Sequence, residues 1–272
     1  MNYLRLKYIT FMLFLATSGA FAQNISLYGG SASNFSIGNA TIASSNEMSA
    51  INNQAGILSV DKWGFQAGAM NLFGLNSLNL ISASGIYKFN SNNAISLSVR
   101  HFGDADLNTQ VIGLAYARRL LKNWNISLQA DLLSFQAPNF GSRYIPTVEI
   151  GSIYEVNDKV SIGFHVFNPF GQALTAQEDI SAIIRGGVQY QLSKKVSLLA
   201  EVEKDILLPF RFKTGIIYNP VENLYIRTGF NTQESQFAFG ITYSFGKYSI
   251  HGAGTVHPTL GVSTGGEISY KN

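Results

Sequence analysis

The sequence predicts an all-β fold: a transmembrane antiparallel β-barrel of about fourteen strands with an N-terminal hatch segment that plugs its lumen. Three observations carry that expectation. From residue 63 onward, apolar and polar residues alternate with a period of two. Charged residues make up only 13% of the 272-residue chain, about half of the ~25% usual in soluble proteins. Short polar turns recur at every second connection, as in barrels whose inner turns are tight and whose outer loops are longer.

The chain opens with an export signal. Arg5 and Lys7 supply positive charge, Ile9 to Ala16 is an apolar run too short to span a bilayer, and Ala20-Phe21-Ala22 offers the small residues of a cleavage site. Residues 1–22 are therefore read as a signal peptide, 23–62 as the hatch segment and 63–272 as the barrel. Losing Arg5 and Lys7 lowers the formal charge from +3 to about +1, and the remaining basic residues are scattered. That distribution argues against nucleic acid as a partner. With no cysteine, disulfides, thiolate metal sites and a catalytic Cys are excluded.

Residues 23–62 are rich in Ser, Asn, Ala and Gly, with one short helix expected around Ser45 to Ile51. In the barrel region, Phe237, Phe239, Ile241, Tyr243 and Phe245 share one face, while Gln236, Ala238, Gly240, Thr242 and Ser244 share the other. A strand between hydrocarbon and a polar lumen has this pattern. The same reading gives fourteen strand starts near Trp63, Ser77, Ala94, Gln110, Trp124, Ile145, Val160, Ala182, Val196, Phe210, Asn223, Gln236, Tyr248 and Leu260. Polar turns at Asn90–Asn93, Lys122-Asn123, Asn157–Lys159, Ser193–Lys195, Pro220–Asn223 and Gly246-Lys247 follow the even strands, on the periplasmic side if strand one rises from there. Trp63, Trp124, Tyr248 and Tyr270 fall at that same end, where an aromatic girdle meets the headgroups. No proline is expected within a strand core, and Pro146 is placed at a strand's start.

Six charges, Arg185, Glu201, Glu203, Arg211, Lys213 and Arg227, fall on inward positions of strands eight to eleven. They read either as a salt-bridge network filling the lumen or as a polar lining that docks the hatch or guides a solute. Of the four histidines, only His165 and His251 are expected to face inward. No H-E-x-x-H motif occurs. The chain is accordingly read as no enzyme, with no metal and no cofactor. A soluble β-sandwich or lipocalin-type carrier is the rival fold, but it needs roughly half the strands and leaves the aromatic faces unexplained.

Two stretches resemble a known family. Gly29-Gly30, Ser36-Ile37-Gly38-Asn39-Ala40 and Ser49 to Leu58, with Asn53, Gln54, Ala55 and Gly56 at its centre, resemble the start of FadL-like barrels. There a Gly/Ala-rich segment leads to an Asn-Pro-Ala-Gly-Leu box; Gln54 stands where that family usually has Pro. His257, Pro258 and Gly261 resemble the C-terminal pattern of the PorV/PorQ-type branch of Bacteroidetes. The resemblance implies a fourteen-stranded outer-membrane barrel with an N-terminal hatch. It implies one of two roles. The first is an accessory barrel of type IX secretion, binding secretion-system or surface proteins. The second is passive transport of a small hydrophobic molecule. The short outer loops favour the first. Outer-membrane lipid is the expected surrounding in both.

Overall fold

The computed structural model describes residues 31–138, 141–172, 180–232 and 236–272. The predicted signal peptide and the first residues of the predicted hatch lie outside them. In chain order the strands are β1 (Trp63–Asn71), β2 (Asn79–Asn90), β3 (Asn93–Gly103), β4 (Asn108–Leu121), β5 (Trp124–Ala137), β6 (Gly141–Asn157), β7 (Val160–Phe167), β8 (Ile183–Ser193), β9 (Val196–Asp205), β10 (Arg211–Tyr218), β11 (Leu224–Asn231), β12 (Gln236–Phe245), β13 (Tyr248–His257) and β14 (Gly261–Lys271). Each pairs antiparallel with its sequence neighbours, and β14 closes the sheet on β1. Closure leaves no free sheet edge running the length of the wall, the condition for a β-structure in hydrocarbon.

Side-chain alternation decides what each face meets. On β12, Phe237, Phe239, Ile241, Tyr243 and Phe245 are exposed, while Gln236, Ala238 and Thr242 are buried. Leu97, Val99, Ile112, Leu114, Leu128, Leu132, Ile150, Ile162 and Phe164 likewise stand outward on β3 to β7. In water such a surface is an aggregation site; around a closed barrel it is the lipid contact. At the inner end Trp63, Phe65, Tyr87, Phe89, Tyr243, Phe245, Tyr248 and Tyr270 form a chain of ring contacts, with centroids 4.4–6.4 Å apart. This is the aromatic girdle expected at the headgroups.

Residues 31–60 lie inside the barrel and are almost wholly buried. They hold one short helix, α1 (Ala32–Phe35), and two 3-10 turns at Glu47–Ile51 and Gln54–Ser59. The helix expected near Ser45 is thus a 3-10 turn, capped by Asn46, whose side chain accepts from the Met48 N–H at 3.0 Å.

Pro146 departs from its expected place. It lies six residues into β6 as a ladder partner of Leu132. Its missing N–H costs nothing there, because the β6–β7 ladder ends at Glu149 opposite Phe167, and Gly141 to Thr147 have no β7 partner. Proline on a free edge also discourages another strand from pairing with it.

Candidate functional site

The lumen is layered. At the inner end Ala50, Ile57, Leu58 and Val60 of the N-terminal segment pack on Ile86, Ala94 and Ala117 of the wall. At the outer end Ala32 and Phe35 pack on Met70, Leu72 and Leu80. A second outer cluster joins Val111, Leu133, Ile145, Phe167, Ile180 and Ile183. Between these apolar layers lies a polar one.

Three buried glutamates of the wall hold the N-terminal segment. Glu201 on β9 accepts the N–H groups of Thr41 and Ile42 at 2.8 and 3.0 Å. Glu149 on β6 accepts from Gln54 Nε2 at 2.8 Å. Glu267 on β14 accepts from the hydroxyls of Ser31 and Ser33. Each carboxylate is itself compensated or multiply hydrogen-bonded, as a buried charge requires.

The six charges predicted for the lumen all face it, but they divide. Lys213 Nζ bridges Glu201 at 2.9 Å and Glu203 at 2.5 Å, and Arg211 reaches Glu203 at 2.9 Å. Arg185, the ladder partner of Glu203, donates to the Asn52 carbonyl at 3.1 Å and to His165 Nδ1 at 2.9 Å. Arg227 donates to the Ser33 carbonyl at 3.4 Å. Both therefore support the N-terminal segment or its neighbours.

A second ionic group was missed in the sequence. Arg100 on β3 reaches Glu149 at 3.2 Å, and His165 Nε2 lies 2.9 Å from the same carboxylate. Because Arg185 is only a donor, His165 Nδ1 accepts and its Nε2 donates to Glu149. The strand alternation that exposed the other six charges also put Arg100 and Glu149 inward. What the pattern lacked was the strand-to-strand stagger that aligns β3, β6 and β7 around one carboxylate.

The predicted hatch motif acquires a local account. Asn53 Nδ2 donates to the Ile42 and Ser152 carbonyls at 2.7 and 3.1 Å, while its Oδ1 accepts from the Ala55 N–H. Gln54 reaches Glu149, which a proline at that position has no donor to do. Ala55 is fully buried. A Cβ on Gly56 would meet Ser49 Oγ at 2.5 Å and the Ser44 carbonyl at 2.9 Å, so only Gly fits. The C-terminal motif is a turn. His257 Nδ1 accepts from the Thr259 and Leu260 N–H groups at 3.1 and 3.0 Å, and Gly261 has φ +96, which favours Gly. His257 takes the inward register along with His165 and His251, at the outer rim, where its ring meets Phe73 edge-on.

The sequence matches no known family profile and no curated protein. Solved structures do share its fold. The Ralstonia pickettii toluene transporter TbuX superposes with a TM-score of 0.67 at 11% identity, covering 90% of this chain and 99% of that one. A Pseudomonas aeruginosa FadL homologue gives 0.67 at 12%, covering 89% and 98%. The monoaromatic hydrocarbon channel CymD gives 0.69 at 10%, covering 92% and 99%. With the closed fourteen-strand sheet and its greasy outer face, these likenesses define a transmembrane β-barrel of the FadL-type fold. Within that class, this chain is marked by a lumen layered apolar, polar, apolar, with three wall glutamates on its N-terminal segment.

Proposed function

We propose that the protein passes small hydrophobic molecules across the outer membrane, with residues 31–60 serving as the hatch. One observation carries this reading: the apolar cluster of Val111, Leu133, Ile145, Phe167, Ile180 and Ile183 lies just inside the outer mouth, beside the stretch of β6 that lacks a β7 partner. A greasy solute gains by burial among those side chains. The layer beneath holds Arg100, Glu149, His165 and Arg185, which an apolar solute would have to strip of their partners. The low-cost way out of the cluster is sideways, through the unpaired wall between β6 and β7 into the bilayer. The fold likeness to a toluene transporter and to a monoaromatic hydrocarbon channel supports this solute class.

The test is uptake of a radiolabelled monoaromatic hydrocarbon by cells carrying the barrel. Ile145→Arg and Ile183→Arg are expected to reduce uptake to the level of cells without it, while the barrel still folds and inserts. Wild-type uptake equal to that background would overturn the reading. A second role, the accessory barrel of the secretion type, draws on the short outer connections, such as the four residues Asp104–Leu107 between β3 and β4. Recovery of a secretion or surface protein with the barrel from native membranes, together with absent hydrocarbon uptake, would favour it.

A further inference from the structure

One stretch of the lipid-facing wall is hollowed. On β3 to β6 the outward positions are filled by large side chains such as Leu97, Leu114, Leu128 and Ile150. On β1 and β2 two alanines, Ala67 and Ala83, are ladder partners, and both face outward. Their flanking partners are Ile268 on β14 and Val99 on β3. Toward the inner end Phe65 partners Gly85, and a Cβ on that glycine would meet the Phe65 ring at 3.3 Å. The ring therefore leans against β2 and leaves the alanines uncovered. Together these residues shape a depression of about 630 Å³, almost wholly apolar, bounded by Phe65, Leu97, Val99, Tyr248, Ile268 and Tyr270. Its floor is closed, because β1 pairs without a break with both β14 and β2.

Depth and charge select the occupant. Ala67 is four residues along β1 from Trp63. At ~3.3 Å per residue and a strand tilt of ~40°, that is roughly 10 Å along the barrel axis from the inner girdle. Half of the hydrocarbon core is about 15 Å thick, so the hollow opens into the leaflet at the inner end. Three exposed lysines stand at that end: Lys62, Lys247 and Lys271, next in sequence to Trp63, Tyr248 and Tyr270, with Asp61 beside them. Lys247 Nζ also bonds the Asn272 side chain. Charge is sorted in the same sense along the whole barrel. Four of the six inner turns hold lysine, as Lys122, Lys159, Lys194, Lys195 and Lys247, against Asp158 and Glu222. The outer connections hold no Lys or Arg, and their acids are Asp104, Asp106, Glu178, Asp179 and Glu234. An anionic headgroup is therefore favoured at the inner rim and disfavoured at the outer one.

We infer that this hollow seats an acyl chain of an acidic phospholipid of the inner leaflet, with the lipid phosphate among Lys62, Lys247 and Lys271. In hydrocarbon no water is released by apolar contact, so a lipid is retained by close packing and by its polar end. The hollow supplies the first: a chain lying in it touches floor and rim together, where a flat wall offers one side only. The lysines supply the second, and they distinguish an acidic lipid from a zwitterionic one with the same chains. Tyr248 and Tyr270 lie between the two contacts, at the level where such rings meet the headgroups. This inference needs the barrel to stand in a bilayer, and it does not rest on the hydrocarbon reading.

The chain's own tryptophans report on the seat. It has two, Trp63 and Trp124, and the Trp63 ring stacks on Phe65 with centroids 6.2 Å apart. Trp124→Phe leaves Trp63 alone beside the hollow, and Trp63→Phe leaves Trp124 as the comparison. Each barrel is reconstituted into phosphatidylcholine vesicles holding a minor fraction of phosphatidylglycerol, with bromine in the acyl chains of one lipid or the other at the same mole fraction. Trp63 is expected to be quenched several-fold more by brominated phosphatidylglycerol than by brominated phosphatidylcholine, with a smaller difference at Trp124. Filling the hollow with Ala67→Leu and Ala83→Leu is expected to bring the difference at Trp63 down to that at Trp124, with every lysine in place. Lys62→Gln, Lys247→Gln and Lys271→Gln together are expected to abolish it with the hollow open. All five substitutions lie on the lipid-facing wall or the inner rim, and heat-modifiable gel mobility shows that each variant is folded. Equal quenching of Trp63 by the two lipids overturns the seat. So does an excess as large at Trp124, or one that survives filling the hollow, since either would belong to the cationic rim as a whole. Shielding of Trp63 from both lipids, with a dimer on cross-linking, would give the hollow to a second copy of the chain and overturn the lipid seat as well.

Discussion

The two halves of the inner wall receive the N-terminal segment by different means. Along β7 to β12, Gly163, Gly187, Gly215, Gly229 and Gly240 let backbone approach backbone: a Cβ on Gly163 would collide with the Ile42 carbonyl, and one on Gly229 with Ile37. The carboxylate of Glu201, backed by Lys213, adds charge-assisted bonds to the same stretch. Along β1 to β5 the contact is made by side chains, chiefly Ile57, Leu58 and Val60 on Ile86, Ala94 and Ala117, with Lys88 donating to the Leu58 and Val60 carbonyls at the inner end. Close approach plus directed hydrogen bonds fixes a position; apolar contact tolerates sliding. The β7–β12 side mounts the segment by close backbone approach, and the β1–β5 side receives it mainly by side-chain packing.

Lys213→Ala should break that contrast most severely. It leaves Glu201 and Glu203 buried without their shared cation, at a cost of about 3–5 kcal/mol. Denaturant unfolding of the barrel in micelles measures it, and adding Glu201→Gln and Glu203→Gln should recover much of the loss. A smaller loss is expected from Gly163→Val, which drives a side chain into the Ile42 backbone, at roughly 3 kcal/mol. Limited proteolysis should then cut within residues 41–46. If Gly163→Val leaves the segment protected, the mounting is elsewhere.

Glu267→Gln weakens the bonds from Ser31 and Ser33 and should cost ~1.5 kcal/mol. Proteolysis is expected to open the segment at α1 while the 41–46 stretch stays protected. On the β1–β5 side, Ser98→Ala should be neutral within ~0.5 kcal/mol or stabilising, because its buried hydroxyl has no partner among the described residues. A clear destabilisation there would show the hydroxyl to be bonded. The smallest effect is expected at the outer turn between β3 and β4. Asp104 accepts from the Asp106 and Leu107 N–H groups, both at 2.9 Å, and these bonds, Leu107's the larger, hold its carboxyl below the ordinary aspartate range. A lowered folded value means the turn's support is complete above the unfolded aspartate pKa and is lost as pH falls through the folded one. Protection of the Asp106 and Leu107 amides, taken as exchange relative to the intrinsic rate at each pH, should fall at acid pH and should already be low in Asp104→Ala.

Much of the wall was legible in the chain. Alternation placed Trp63, Trp124, Val160, Val196, Gln236 and Tyr248 at the first residue of their strands. It did so because a lipid-facing strand must show a different chemistry on each side at every step. Pro146 was misplaced because a proline in a strand is excluded only where its N–H is needed, and whether a neighbour strand reaches that far is not written locally. The division of the six charges escaped for a related reason. Arg185 and Glu203 are ladder partners, yet Arg185 also bonds His165 on β7 and Asn52 on the N-terminal segment, contacts that no pairing within one strand foretells.

The sequence by itself determined the number of strands, the side of each that meets lipid, and the low charge that such a surface demands, because these follow from residue order along one strand. Only the tertiary structure decided which glutamate holds which part of the N-terminal segment, that Arg100 and His165 meet on Glu149, and that β6 outruns β7. Those features depend on the stagger between strands and on how the barrel closes, quantities set by the whole sheet at once.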